Sequence, residues 1–166
     1  MSRQGSFIGK RIKRNEDPRL LTGQALFVDD VHLPDMLHAA FLRSHVAHGE
    51  IRSIDASKAL EMPGVRAVIT AADIGDELPT IPFRRPNPTI GPYAQPIIAH
   101  GKVRYFGEPI AMVLADSPEL AEDALQGISV DIDALPVTID CKSAMENNTL
   151  LFESTGTNLA SVFNAD

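Results

Sequence analysis

The sequence predicts an α+β fold made of short strands and few helices, on three observations. Apolar residues recur at a period of two in short runs, giving roughly seven or eight candidate strands. Only about two or three short helical stretches accompany them, and no long helix stands between strand pairs as a doubly wound parallel sheet requires. No segment repeats, which speaks against a solenoid or a propeller. Mixed pairing in one or two small sheets is therefore the expectation.

Taken in order, residues 1–19 are polar and basic, with Lys10, Arg11, Lys13, Arg14 and Arg19 close together, and read as a solvated N-terminal arm. The domain proper is expected over 20–150, with a polar tail over 151–166. Thr22-Gly23 reads as a turn, 25–28 as a short strand ended by Asp29-Asp30, and 32–35 as a second turn. Residues 37–43 alternate loosely, predicting a strand covered on both faces. A loop over 44–49 carries His45 and His48, and 50–55 reads as a strand. Asp55 stands where its carboxylate can cap a helix over 57–62, which Pro63-Gly64 stops. Residues 65–70 form a strand, and 71–74 one further helical turn.

From 79 to 96 the composition changes, because six of the twelve prolines fall there. That density excludes long regular elements, and irregular segments of this length tend to be functional or ordered against a partner. Arg84 and Arg85 within it are candidates for holding an anion.

Two apolar runs follow, 103–106 and 110–115, joined by Gly107-Glu108-Pro109. Glycine supplies backbone freedom and proline removes a donor, so a sharp bend is expected there, leading into a buried strand. Ser117-Pro118-Glu119 opens a helix with an N-cap hydroxyl, a proline at the first turn and an acid beside the helix dipole. Gly127 closes it. Residues 128–133 alternate as a half-buried strand, Leu135-Pro136 bends the chain before a last apolar run at 137–139, and 142–145 is a short helix.

The totals limit what the molecule does. A chain of 166 residues suits one domain with a sizeable core. A net charge of −7 argues against a nucleic-acid or anionic-membrane partner. Cys141 is the single cysteine, so no internal disulfide forms and a cytoplasmic location is expected. No apolar run is long enough for a signal peptide or a membrane span.

Residues that carry chemistry are sparse. There is no phosphate loop, nucleophile elbow or zinc-type spacing. His45 and His48, with His38 nearby, lack a supporting carboxylate or thiol and make a poor metal site. Cys141 has no partner histidine and reads as a buried, inert thiol. Glu108 is the one candidate general base, but a carboxylate at a Gly–Pro corner more often accepts backbone hydrogen bonds.

Several segments together resemble one family. They are Gly23-Gln24-Ala25-Leu26-Phe27-Val28-Asp29-Asp30-Val31 with Leu37-His38-Ala39-Ala40-Phe41-Leu42-Arg43-Ser44 and Ala47-His48; Ile54-Asp55-Ala56-Ser57-Lys58-Ala59 with Met62-Pro63-Gly64-Val65; and Val103-Arg104-Tyr105-Phe106-Gly107-Glu108-Pro109-Ile110-Ala111 with Val130-Asp131-Ile132-Asp133-Ala134-Leu135-Pro136. In this order they resemble the N-terminal α/β-hammerhead domain of the xanthine dehydrogenase and aldehyde oxidase large subunit, including its carbon monoxide dehydrogenase-like branch. His45 stands where that family usually has proline, and Ile132 where it commonly has tyrosine.

The resemblance implies a molybdenum hydroxylase in which molybdopterin-bound molybdenum lies on downstream domains. Iron–sulfur clusters and FAD would lie on partner domains or subunits. It places no catalytic, cofactor-binding or metal residue in this chain. Gly107, Glu108 and Pro109 become a structural corner, and Arg43, His45, His48, Arg84 and Arg85 become candidates for a surface facing other domains. The expected role is structural: packing on the molybdopterin domains and helping to wall the substrate channel. The alternative is a non-catalytic binding or carrier module of barrel-like architecture, with Lys102 as a tip lysine in the turn His100-Gly101-Lys102-Val103.

Overall fold

A computed structural model describes residues 8–84 and 87–162. The chain divides into two compact units between Met36 and Leu37. In the first, α1 (Asp17–Leu21) starts with Pro18 in its first turn and ends where the Thr22 hydroxyl donates to the Pro18 carbonyl at 2.7 Å. The 25–28 segment expected as a strand is not one. It runs into a 3₁₀ turn at Val28–Asp30, because the Asp30 carboxylate accepts the Phe27 N–H at 2.9 Å and pulls the backbone tight. The basic side chains at 10–14 and 19 are exposed, and Arg19 belongs to α1 rather than to an irregular arm.

The second unit holds β1 (His38–Arg43), β2 (Gly49–Asp55), α2 (Ser57–Leu60), β3 (Val65–Thr70), α3 (Ala71–Ile74), β4 (Lys102–Val103), β5 (Pro109–Ala115), α4 (Pro118–Leu125), β6 (Ser129–Ala134) and α5 (Cys141–Met145). Two three-stranded sheets result, ordered β1-β5-β3 and β4-β2-β6, which fits the α+β expectation. Every pairing in them is antiparallel, which refines the expectation of mixed pairing.

Strand β5 is central and apolar throughout, with Ile110, Ala111, Val113 and Ala115 buried. Helix α4 packs on β1 and β5 through Ala121 and Ala124, and these small residues let helix and sheet approach closely. Its N-cap forms as expected: the Ser117 hydroxyl accepts the Leu120 N–H at 3.3 Å. At its far end Gly127 is required by space, since a Cβ there would stand 2.8 Å from the Ala59 backbone nitrogen. A second cluster, Ala99, Val103 and Ile110, joins the first through Ile54 and Val130, which touch both.

Several expectations change. Strand β1 is covered on one face only: Ala40 is buried, whereas Ala39 and Phe41 are exposed. A bulge between Ile51 and Ser53 breaks the alternation of β2, so that Ile51 and Ile54 both turn into the core. Asp55 holds the start of α2 from one residue outside the cap, accepting the Ser57 N–H at 3.0 Å. The run at 103–106 is strand only at Lys102–Val103, because the chain already turns at 105–107. The run at 137–139 lies in no strand. Cys141 is exposed, not buried, because α5 presents no buried residue to any core.

The proline-rich segment is irregular but closed at its neck. Thr80 bridges to Pro96, the Ile81 N–H donates to the Gln95 carbonyl at 2.8 Å, and the Ile97 N–H donates to the Pro79 carbonyl at 3.0 Å. One 3₁₀ turn, Gly91–Tyr93, forms within it. Arg84 is exposed, and Arg85 lies outside the described residues.

Candidate functional site

Among the described residues three polar side chains are buried, Ser44, His48 and Glu108, at 2%, 3% and 1% exposure. They share one corner, where the loop after β1 meets the entrance of β5. The corner is tied by main chain in both directions. The Gly107 N–H donates to the Ser44 carbonyl at 2.8 Å, and the Ser44 N–H donates to the Glu108 carbonyl at 2.9 Å. Gly107 has φ +88°, a left-handed geometry that favours glycine, so the residue type and the bend are linked. Pro109 opens β5 where no ladder donor is needed, and its carbonyl accepts the Ala99 N–H at 2.7 Å.

Glu108 folds its carboxylate back over the turn, where Oε2 accepts the Arg104 N–H at 2.5 Å. Burial pushes the Glu108 carboxyl above its ordinary range, while the Arg104 N–H, the Arg104 charge and the Tyr105 N–H pull it back. A base whose lone pairs serve its own backbone is poorly placed to accept a substrate proton. Arg43 braces the same turn from outside, with Nη1 donating to the Gly107 carbonyl at 3.0 Å. The Ser44 hydroxyl donates to the Val46 carbonyl at 2.6 Å and accepts the Val46 N–H at 3.0 Å, closing the loop on itself.

His48 cannot be a surface residue. Its ring is buried, Nδ1 lies 2.7 Å from the Pro136 carbonyl oxygen and must therefore carry the proton, and Nε2 has no hydrogen-bond partner among the described residues. His45 is exposed three positions earlier in the loop. Among the described residues no three His, Cys, Asp or Glu side chains lie together as a metal site would need.

The sequence reading missed how the far end of the chain joins this corner. Arg104 donates through Nε to the Leu151 carbonyl at 2.9 Å, and its guanidinium lies 4.8 Å from the Phe152 ring centroid. Tyr93 of the proline-rich segment meets Phe152 edge-on at 5.7 Å, and its hydroxyl donates to the Thr157 carbonyl at 2.9 Å. Asn158 knots the tail, donating to the Ala144 and Thr149 carbonyls and accepting the Leu151 N–H. The tail from 151 onward, expected as a polar lead-out, is packed as far as these bonds reach. Lys102 is no free tip lysine either: its ammonium is largely covered and paired with the Glu153 carboxylate.

This chain's donor set does not suit the cofactors that the resemblance implies. An iron–sulfur cluster needs several thiolates and the chain has one cysteine. The one buried carboxylate is already committed to backbone. No helix among the described residues is long and apolar enough to cross a membrane.

Known proteins fit this geometry. Residues 22–136 match the family described as aldehyde oxidase and xanthine dehydrogenase, a/b hammerhead domain. The chain is 40% identical over 139 residues to the nicotine 6-hydroxylase large subunit of Paenarthrobacter nicotinovorans, a match covering 84% of this chain and 17% of that subunit. It is 41% identical over 140 residues to the carbon monoxide dehydrogenase large chain of Afipia carboxidovorans, covering 84% of this chain and 17% of that one. The solved quinoline 2-oxidoreductase from Pseudomonas putida 86 superposes with a TM-score of 0.73 at 36% identity, over 89% of this chain and 19% of that chain. The two large chains are thus far longer than the region they share with this sequence. A corner built to hold a fold, within a matched stretch that takes in both sheets, identifies the chain as a member of the aldehyde oxidase and xanthine dehydrogenase hammerhead family, the molybdenum hydroxylase large-subunit family.

Proposed function

We propose that this chain is the hammerhead portion of a cytoplasmic molybdenum hydroxylase large subunit. It serves there as a packing domain that seats on the molybdopterin-binding domains and helps wall the substrate channel. The observation that carries this reading is the corner itself: its buried polar groups are spent on backbone, leaving no acid, base or nucleophile free for chemistry. When bound, molybdopterin-bound molybdenum supplies the redox chemistry from outside this chain, and iron–sulfur and FAD partners carry the electrons away. One similar protein is named as the gamma subunit of a 6-hydroxypseudooxynicotine dehydrogenase complex, which supports a multi-subunit assembly here.

The faces toward the other domains are the exposed part of the 43–48 loop, with Arg43 and His45, and the proline-rich segment. In that segment Pro82, Phe83, Asn87, Pro88 and Gly91 line a shallow recess beside Arg84. A carrier role for Lys102 is disfavoured by its pairing with Glu153. The test is metal analysis of the complete enzyme from its native source, with hydrogen exchange on residues 79–96. Molybdenum in the preparation, and slower exchange there than in the 166-residue chain, are expected. A preparation without molybdenum defeats the reading.

A further inference from the structure

We propose that the turn at 105–107 is a preformed docking knuckle, whose Phe106 side chain is an aromatic anchor seated in an apolar, acid-rimmed pocket of the remainder of the large subunit. The proposal rests on the function proposed above and names the contact that the corner exists to make.

Phe106 is 71% exposed and Tyr105 38%, directly beside a strand whose apolar residues are almost fully buried. A large aromatic at the tip of a turn ordinarily gains nothing for the isolated fold. Here the turn beneath it is held from four directions. The Gly107 N–H is bound to Ser44, the Gly107 carbonyl to the Arg43 guanidinium, the Glu108 N–H to the Tyr105 carbonyl at 3.2 Å, and the Arg104 N–H to the Glu108 carboxylate. Burying a carboxylate to fix a solvent-facing turn is costly unless the shape of that turn matters. A rigid aromatic tip loses little conformational freedom on binding, which is what distinguishes an anchor from a passive contact. Arg43 and Arg104 flank the tip with positive charge, so the complementary pocket is apolar with an acidic rim.

The occupant follows from the chain path. Leu151, Phe152 and Glu153 lie against Arg104 and Lys102 at the base of the same turn. The chain therefore leaves the domain beside Phe106. In the carbon monoxide dehydrogenase large chain the shared region is 17% of the length, so polypeptide that follows it is tethered next to the knuckle at high effective concentration.

Hydroxyl-radical footprinting tests this directly. In the 166-residue chain Phe106 should oxidise readily, and in the complete enzyme at least about tenfold more slowly, since a seated ring is reached only by local opening. Equal oxidation in both overturns the proposal. So does protection in the 166-residue chain that grows with protein concentration, which would assign the knuckle to a second copy. Phe106→Ala should leave the melting temperature of the 166-residue chain unchanged and lower that of the complete enzyme, and no shift in either overturns it. Molybdenum content of the same wild-type enzyme separates the two failures. Its absence refutes the proposed function; its presence with an exposed Phe106 refutes the knuckle alone.

Discussion

Strand β5 is bounded by a carboxylate at each end, Glu108 before Pro109 and Asp116 after Ala115, and the two are held in opposite ways. Glu108 is buried, meets backbone N–H groups, and is pushed above its ordinary range by loss of water. Asp116 is exposed and takes both arms of the Arg66 guanidinium at 2.7 Å, which hold it below its ordinary range. The buried end fixes a turn that carries function, and the exposed end closes a sheet edge. Backbone partners in a dry corner define one geometry; a solvated ion pair tolerates several. The difference separates a residue that the fold cannot replace from one that it can.

The largest effect should come from Glu108→Ala. It leaves the N–H groups of Arg104 and Tyr105 unsatisfied in a buried corner, at a cost of about 1–3 kcal/mol. Chemical denaturation of the 166-residue chain measures it. If Glu108→Ala costs no more than Asp116→Ala, the contrast between the two ends is wrong.

Next in size is Ser117→Ala, one residue beyond Asp116. It removes the cap of α4, and the expected loss is about 0.5–1 kcal/mol, at the low end because the bond to Leu120 is long. Thermal unfolding with circular dichroism reads it. The loss should not depend on salt, since no charge changes.

Asp116→Asn should be smaller again and should differ in kind. Its partner is exposed, so the loss should shrink as ionic strength rises. A loss that persists in molar salt would show that the clasp is more than electrostatic.

Much of this contrast was legible in the sequence, and the unreadable part has a physical cause. Gly107-Glu108-Pro109 and Ser117-Pro118-Glu119 are local patterns whose geometry follows from glycine, proline and a short hydroxyl side chain. The turn was still placed late, because Val103 to Phe106 reads as one apolar run and only the Glu108 carboxylate, folding back four residues, bends it. The bulge in β2 was invisible for a similar reason: β6 sets the register from seventy-odd residues away. Cys141 followed a statistical preference for burial that a helix with no packed face does not honour. The Arg104–Phe152 stack and the Asn158 knot join distant polar residues that look like ordinary loop. His48 shows the limit of loop reading. Its neighbours are polar, but the Pro136 carbonyl draws the ring inside.

The finest difference between the two ends is the sign of their response to pH. Glu108 binds its proton more tightly folded than unfolded, so its contribution is fully present below the ordinary carboxyl value and is lost as pH rises through the raised one. Asp116 behaves the other way, contributing above its ordinary value and losing that contribution as pH falls through the lowered one. Glu108→Gln and Asp116→Asn each remove one titration with little change of shape. Wild type should therefore gain on Glu108→Gln as pH drops from neutral toward the ordinary carboxyl range. Its margin over Asp116→Asn should hold through that interval and vanish at lower pH. Melting temperatures of the three proteins across the acid range decide it. Curves for both variants converging on wild type in the same direction would mean that Glu108 is solvated, and the buried corner would lose its claim to shape the knuckle.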